Sequence, residues 1–335
     1  MRRSLYLPLL AVSLMILTAC GKEPMIQFSQ ENDPANRAPV PQQEQALAQK
    51  EAEATQYSQD YDEFNNVDHL VQSVITQYNY PLDQISLAYY NYQTQEVYLL
   101  NEKQAFPVGS ILNIGLARLY SDLVNQGLAN WQDQIKYDVN FHQVGEGTIT
   151  NGAKKESYSI YELIYHALTE ADPTASNLLV NHYQTNFGDL SQALVNLSSL
   201  QYPQAYPDKQ MDVAMILNIL SPIAFEENYD YIRTCLSEVH LPETFPSYHD
   251  TQLLPQINPD TDNYHFVTLA NKSGQPLYSL VILSHGGTDI GPLVSSLNLK
   301  LNEWSCYSMD HPEKLLPAAN QVETETHALE ANTQE

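Results

Sequence analysis

The chain has 335 residues, enough for one large domain with flanking segments or for two small domains, and its 43% hydrophobic content permits a sizeable core. A formal net charge of −25 excludes the basic footprint that nucleic-acid binding requires. The three cysteines have no C-x-x-C spacing, and no H-x-x-x-H or EF-hand pattern is present, so neither a metal site nor a cofactor is expected.

Arg2 and Arg3 make a charged start, Leu5 to Thr18 an apolar run, and Leu17-Thr18-Ala19-Cys20 a small-residue cleavage region ending in cysteine. This resembles a bacterial lipoprotein signal with its lipobox. The resemblance implies a signal peptide over residues 1–20, cleavage before Cys20, lipid on the Cys20 thiol, and an extracytoplasmic protein anchored to the membrane. The apolar run is short for a transmembrane helix. Residues 21–65 are rich in Gln, Glu, Asp, Ala, Pro and Asn and read as a disordered acidic tether. Cys235 and Cys306 remain, either as a disulfide or as buried thiols.

Order is expected from residue 66. Leu70, Val71, Val74 and Ile75 have the spacing of an amphipathic helix. Ile85 to Tyr92 and Glu96 to Leu100 then form a hairpin of β-formers. After Phe106-Pro107 a second helix carries Leu112, Leu116, Leu119 and Leu123, and Gly127 closes it. A loop from Trp131 to Ser157 leads to Ser159-Ile160-Tyr161-Glu162, a capping box that opens a helix through Leu168. Asp172-Pro173 breaks that helix, and further helices cover Thr174 to Tyr183, Leu190 to Leu197, Met211 to Leu220 and Tyr229 to Val239. Strands are expected at Ser247 to Gln252, Tyr264 to Ala270 and Leu277 to Ser284, the last two joined by the turn Asn271-Lys272-Ser273-Gly274. A final helix, Ile290 to Tyr307, packs Leu293, Leu297, Leu301 and Trp304, and residues 310–335 read as a disordered acidic tail. The order gives an α+β fold: one antiparallel sheet of about five strands flanked by helices, with a helical lobe inserted between strands 2 and 3. A cleft would lie between the lobes, and the domain would span 66–309.

Phe106-Pro107-Val108-Gly109-Ser110 delivers a serine into the first turn of an apolar helix, where free N–H groups and the helix dipole could activate it. The bland alternative is that Ser110 is a helix N-cap. Together with Tyr158-Ser159-Ile160-Tyr161-Glu162-Leu163-Ile164, Asp172-Pro173-Thr174-Ala175-Ser176-Asn177-Leu178-Leu179 and Leu241-Pro242, this turn resembles class A β-lactamases and related penicillin-recognising serine hydrolases. The likeness covers about Val67 to Met309.

That resemblance implies an S-x-x-K pair, an S-D-N loop, a K-T-G strand and a deacylating glutamate. Ser110 matches the nucleophile, but Asn113 stands in place of the lysine, and a carboxamide has no usable basicity near neutral pH. Ala171, Asp172 and Pro173 replace the S-D-N loop, and Asp172 fits a loop cap. The third motif has two candidates. Lys272-Ser273-Gly274 matches by letters, whereas Leu241-Pro242 and sheet topology favour Asp250 and Thr251, with His249 pointing away. No glutamate lies between Glu170 and Glu226, and the corresponding loop is Gln201 to Gln210. Four coordinated losses point to a non-catalytic domain that binds an unknown ligand or protein of the cell envelope. One alternative is a hydrolase acting through acyl-Ser110 with a histidine from another element. Another is an adhesin or envelope scaffold making contacts through some of the 23 tyrosines.

Overall fold

The computed structural model describes residues 57–199, 210–239, 263–285 and 290–316, with the main chain alone for 251–259. All lie within one compact unit, Glu51–Glu335; the other, Met1–Lys50, falls outside the described residues. Helix α1 (Val67–Gln77) starts where the Asn66 side chain accepts the His69 N–H at 2.9 Å, and it buries Val67, Leu70, Val71, Val74 and Ile75 on one stripe. Strands β1 (Ile85–Asn91) and β2 (Val97–Leu100) pair as the expected hairpin.

The two-residue β3 (Phe106–Pro107) leads into α2 (Leu112–Asn125), then β4 (Gln134–Lys136), the single-turn α3 (Thr148–Asn151) and β5 (Ser157–Ser159). Next come α4 (Ile160–Thr169), α5 (Pro173–Asn186), α6 (Leu190–Ser198), β6 (Gln210–Met211), α7 (Val213–Leu220) and α8 (Asp230–Ser237). The capping box forms as the sequence predicts: Ser159 Oγ accepts the Glu162 N–H at 3.1 Å while Glu162 Oε2 accepts the Ser159 N–H at 3.0 Å. The chain closes with β7 (Thr251–Pro259), β8 (Tyr264–Lys272), β9 (Gln275–Ser284) and α9 (Gly291–Asp310).

Five strands form one antiparallel sheet in the order β2-β1-β9-β8-β7. Strands from both ends of the chain thus share a sheet, and the helices between β2 and β7 form the lobe. Alternate residues serve opposite faces. Val267, Leu269, Val281 and Leu283 join the core under the helical lobe, while Phe266, Leu280 and Ile282 join the core under α1 and α9.

The third strand of the sheet differs from its expected span of Ser247 to Gln252: β7 runs to Pro259, pairing residue for residue with β8. Pro255 and Pro259 hide this strand in the sequence. They are tolerated because β7 is the sheet edge, where one side of the ladder needs no donor.

The packed chain also starts before residue 66 and passes residue 309. Tyr61 OH donates to Glu303 Oε2 at 2.6 Å, Tyr307 OH to Asp62 Oδ1 at 2.5 Å, and Lys314 Nζ to Asp62 O at 2.8 Å. These bonds tie residues ahead of α1 to α9 and the turn after it. Cys235 lies in the lobe core and Cys306 packs against the α1/α9 core, so the free thiols sit on opposite faces of the sheet and form no disulfide. Burial pushes the Cys235 thiol up to about 11.

Glu96 is buried at the α9 end of this arrangement, its Oε2 accepting Trp304 Nε1–H at 2.8 Å and its Oε1 the Leu316 N–H at 3.2 Å. Burial holds its carboxyl above the usual range, against the lowering effect of those two donors. A raised folded-state value means that the contribution of Glu96 to stability is greatest below its unfolded pKa of about 4.3 and is lost as pH rises through the folded value. Glu96→Gln should therefore gain Tm relative to the parent as pH rises from 4 to 7. A Tm difference independent of pH would contradict this.

The serine turn and the helix junction beside it

Gly109 has φ +52°, a left-handed conformation that glycine adopts without strain, and it turns the chain from β3 into a 3-10 turn, Gly109–Ile111, that runs into α2. Ser110 sits half-buried in this turn. It is not the N-cap of α2: that position is Ile111, whose helical backbone and apolar side chain make no cap bond. The N-cap reading fails because the 3-10 turn continues directly into the α-helix, leaving no extended residue between them.

Asn113 is 1% exposed in the first turn of α2, and both ends of its carboxamide are engaged. Its Nδ2 donates to Ala167 O of α4 at 2.8 Å, and its Oδ1 accepts from Ser176 Oγ of α5 at 2.7 Å. Ser176 Oγ also lies 3.0 Å from Asp172 O. The fold therefore joins the serine turn to the Ala171-Asp172-Pro173 junction by a polar strut where the family pattern has a base.

Asp172 is fully buried and organises that junction. Its Oδ1 accepts the Thr174 and Ala175 N–H groups, each at 3.0 Å, capping α5. Its Oδ2 accepts the Ile149 and Thr150 N–H groups at 2.7 and 2.8 Å, and Thr150 Oγ1 donates to Oδ1 at 2.8 Å. Glu170 takes the Thr148 N–H at 2.6 Å, so two carboxylates satisfy the N-terminus of α3. Gly147, at φ +112°, gives the room for this: a Cβ there would lie 2.3 Å from Asp172 Oδ2. Ala171 takes φ +51° to redirect the chain, and Pro173 begins α5 at its first position.

The sheet register places Thr251 and Lys272, the described members of the two candidates for the third motif. Asp250 and His249 lie outside the described residues. Thr251 pairs with Lys272, so these two residues lie at the same end of the sheet. The serine turn is at the opposite end. There His265, in register with Asn258, places Nε2 2.9 Å from Pro107 O, and β7 borders the Gly109–Ile111 turn. Asn258 stands seven residues from Thr251, about 23 Å along a strand. The stretch of β7 near Ser110 is thus around Asn258, and neither Thr251 nor Lys272 reaches it.

His265 escaped sequence reading, where only its place among β8 apolar residues marks it. It is fully buried, its Nδ1 accepts the Ser284 N–H at 3.2 Å, and its Nε2–H faces Pro107 O. That pattern assigns the neutral Nε2–H tautomer and leaves no ring nitrogen to take a proton from Ser110. His285 packs on Phe106 at 4.7 Å between ring centroids, with Nδ1 2.9 Å from Asn263 Oδ1.

Several cations are committed elsewhere. Lys154 Nζ caps carbonyls of Ile149, Thr150 and Gly152, Arg118 holds the Asn218 and Ile219 carbonyls, and Lys272 Nζ lies 3.4 Å from Cys306 Sγ. The loop expected to lack the deacylating glutamate falls, apart from Gln210, outside the described residues. No cluster of three potential metal ligands occurs among the described residues.

The sequence profile of the beta-lactamase enzyme family matches residues 66–274. The fold is similar to the solved structure of PBP-A, with a TM-score of 0.58 and 13% identity over 72% of this chain and 96% of that one. A beta-lactamase from Sphaerobacter thermophilus gives 0.57 at 12% identity, covering 74% of this chain and 98% of its own. One from Xanthomonas campestris pv. campestris gives 0.57 at 14%, covering 71% and 97%. At these identities the likeness concerns the fold. No curated protein matches the sequence.

Proposed function

The chain belongs to the beta-lactamase enzyme family, and from that membership we propose that it is a non-hydrolysing member, displayed as a lipoprotein and used for binding in the cell envelope. The observation that carries this reading is Asn113: at the position where the family pattern calls for a lysine, a buried carboxamide is bonded at both ends to Ala167 O and Ser176 Oγ. Such a group neither accepts the Ser110 proton nor brings positive charge to the turn. Ala171 offers a methyl group where the family pattern has a hydroxyl, and His265 is bound to backbone groups. Ser110 is then an ordinary alcohol in an inherited turn. The acidic chain, with net charge −25, would also repel a carboxylate-bearing β-lactam.

The test is hydrolysis of a chromogenic cephalosporin by purified protein. Turnover at the background rate, unchanged in Ser110→Ala, is expected. Turnover that Ser110→Ala abolishes would establish the acyl-Ser110 hydrolase instead.

The anchoring rests on the Leu17-Thr18-Ala19-Cys20 pattern and has its own readout. Cys20→Ser should abolish incorporation of labelled fatty acid and leave the leader uncleaved. Labelling that survives the substitution would refute lipidation at Cys20.

A further inference from the structure

Three chain segments meet at the carboxyl of Glu96, which is 1% exposed just before β2 in the β1–β2 hairpin. Its Oε2 accepts Trp304 Nε1–H of α9 at 2.8 Å, and its Oε1 accepts the Leu316 N–H, just beyond the 3-10 turn Pro312–Lys314, at 3.2 Å. One carboxyl thus clasps the hairpin, the last helix and the chain that leaves it. No charged side chain pairs with it among the described residues. The titratable group that senses it is Tyr89 of β1, which stays protonated because burial, and after it the Glu96 charge, raise its pKa.

The sides of this clasp are not equally firm. The hairpin is fastened to α9 without Glu96: Tyr89 OH and Ser305 Oγ are 2.7 Å apart, and Asn91 Nδ2 donates to Ser305 O at 3.2 Å. The turn Pro312–Lys314 buries no residue, and Leu316 is only half-buried against the α1/α9 core. The turn's side-chain hold is Lys314 Nζ, which donates to Asp62 O and Phe64 O at 2.8 and 2.9 Å. A segment with little buried surface opens at a lower free-energy cost than the core does, so Leu316 is the side that opens first. Burial raises the Glu96 pKa by more than its two donors lower it. Once Leu316 lifts away, water reaches the carboxyl and the burial effect falls. Ionisation therefore favours the open clasp, and protonation favours the closed one.

We propose that Glu96 is a pH-sensitive clasp: acidification fastens Leu316 and the turn before it onto the hairpin and α9, and a rise in pH loosens them. Because Lys314 ties the same turn to Asp62 and Phe64, loosening also weakens the hold on the segment ahead of α1. The two ends of the packed chain thus respond together. This device is independent of whether Ser110 is catalytic.

The test is amide hydrogen exchange of the full chain, resolved at Leu316 and followed from about pH 4.5 to about pH 7.5, with each rate divided by the intrinsic rate at that pH. Protection of the Leu316 amide should fall by about threefold or more over this range, while that of Ile282 in β9 stays level. Glu96→Gln should remove the trend, because a carboxamide does not ionise there. Asp60, Asp62 and Glu313, whose charges act on Tyr307, are the competing carboxylates at this end of α9, and all three are intact in Glu96→Gln. A trend that persists in that variant belongs to them and would overturn the proposal. Level protection of Leu316 in the parent, or an equal fall at Ile282, would do the same. Both parent readings need no substitution, so a misfolded variant leaves the test intact.

Discussion

Asp172→Ala should lower the stability of the domain by about 4 kcal/mol, roughly 10 °C in Tm for a domain of this size. The carboxylate accepts four backbone N–H groups and the Thr150 hydroxyl from a fully buried position. Alanine strands those donors at the start of α3 and of α5 in a buried site. Asp172→Asn retains one acceptor oxygen but turns an NH₂ toward N–H donors, so its loss should be intermediate. Thermal unfolding followed by circular dichroism measures both. A change under about 1 kcal/mol for Asp172→Ala would show that the carboxylate does not hold the junction. Because Asp172 stands beside the serine turn, the same experiment separates architecture from chemistry: this reading expects a large stability loss and no activity to lose.

Asn113 carries the second large effect. Asn113→Leu leaves Ala167 O without this donor and Ser176 Oγ with Asp172 O as its remaining acceptor, at a 1% exposed site, and should cost about 2 kcal/mol. Asn113→Lys restores the family's residue in letters only. Its ammonium would enter a site whose described polar partners are one carbonyl and one hydroxyl, so this variant should be less stable than the parent. It should also remain unlabelled by a fluorescent penicillin, because Ala171 still lacks the hydroxyl that the family pattern uses for proton transfer. Ser110-dependent labelling of Asn113→Lys would mean that one substitution separates this chain from catalysis, and that the losses elsewhere are secondary.

The helices and their ends were legible because their determinants are local. Ser159 and Glu162 lie three residues apart and cap each other in any context where α4 forms. Asp172 announces its capping role by preceding Pro173 at the start of an apolar repeat. The juxtaposition of Asn113 with the α4–α5 junction was legible through the family pattern. What Asn113 does there was not, because its partners Ala167 and Ser176 lie 54 and 63 residues away. His265 and Pro107, separated by 158 residues, were equally out of reach.

By itself, then, the sequence determined the α+β order, the Ser159–Glu162 capping box, the Asp172 cap before Pro173 and the absence of a lysine three residues after Ser110, since each depends on neighbours along the chain. Tertiary structure decided the register of β7 against β8, and with it that neither Thr251 nor Lys272 reaches the serine turn. A one-residue offset in a strand costs little locally, and only the partner strand selects among the offsets. It also decided that Ser110 follows a left-handed glycine within a continuous 3-10 to α-helical turn, and that the Asn113 carboxamide has both ends occupied. Those facts rest on groups brought within hydrogen-bonding distance by packing, which no linear pattern encodes.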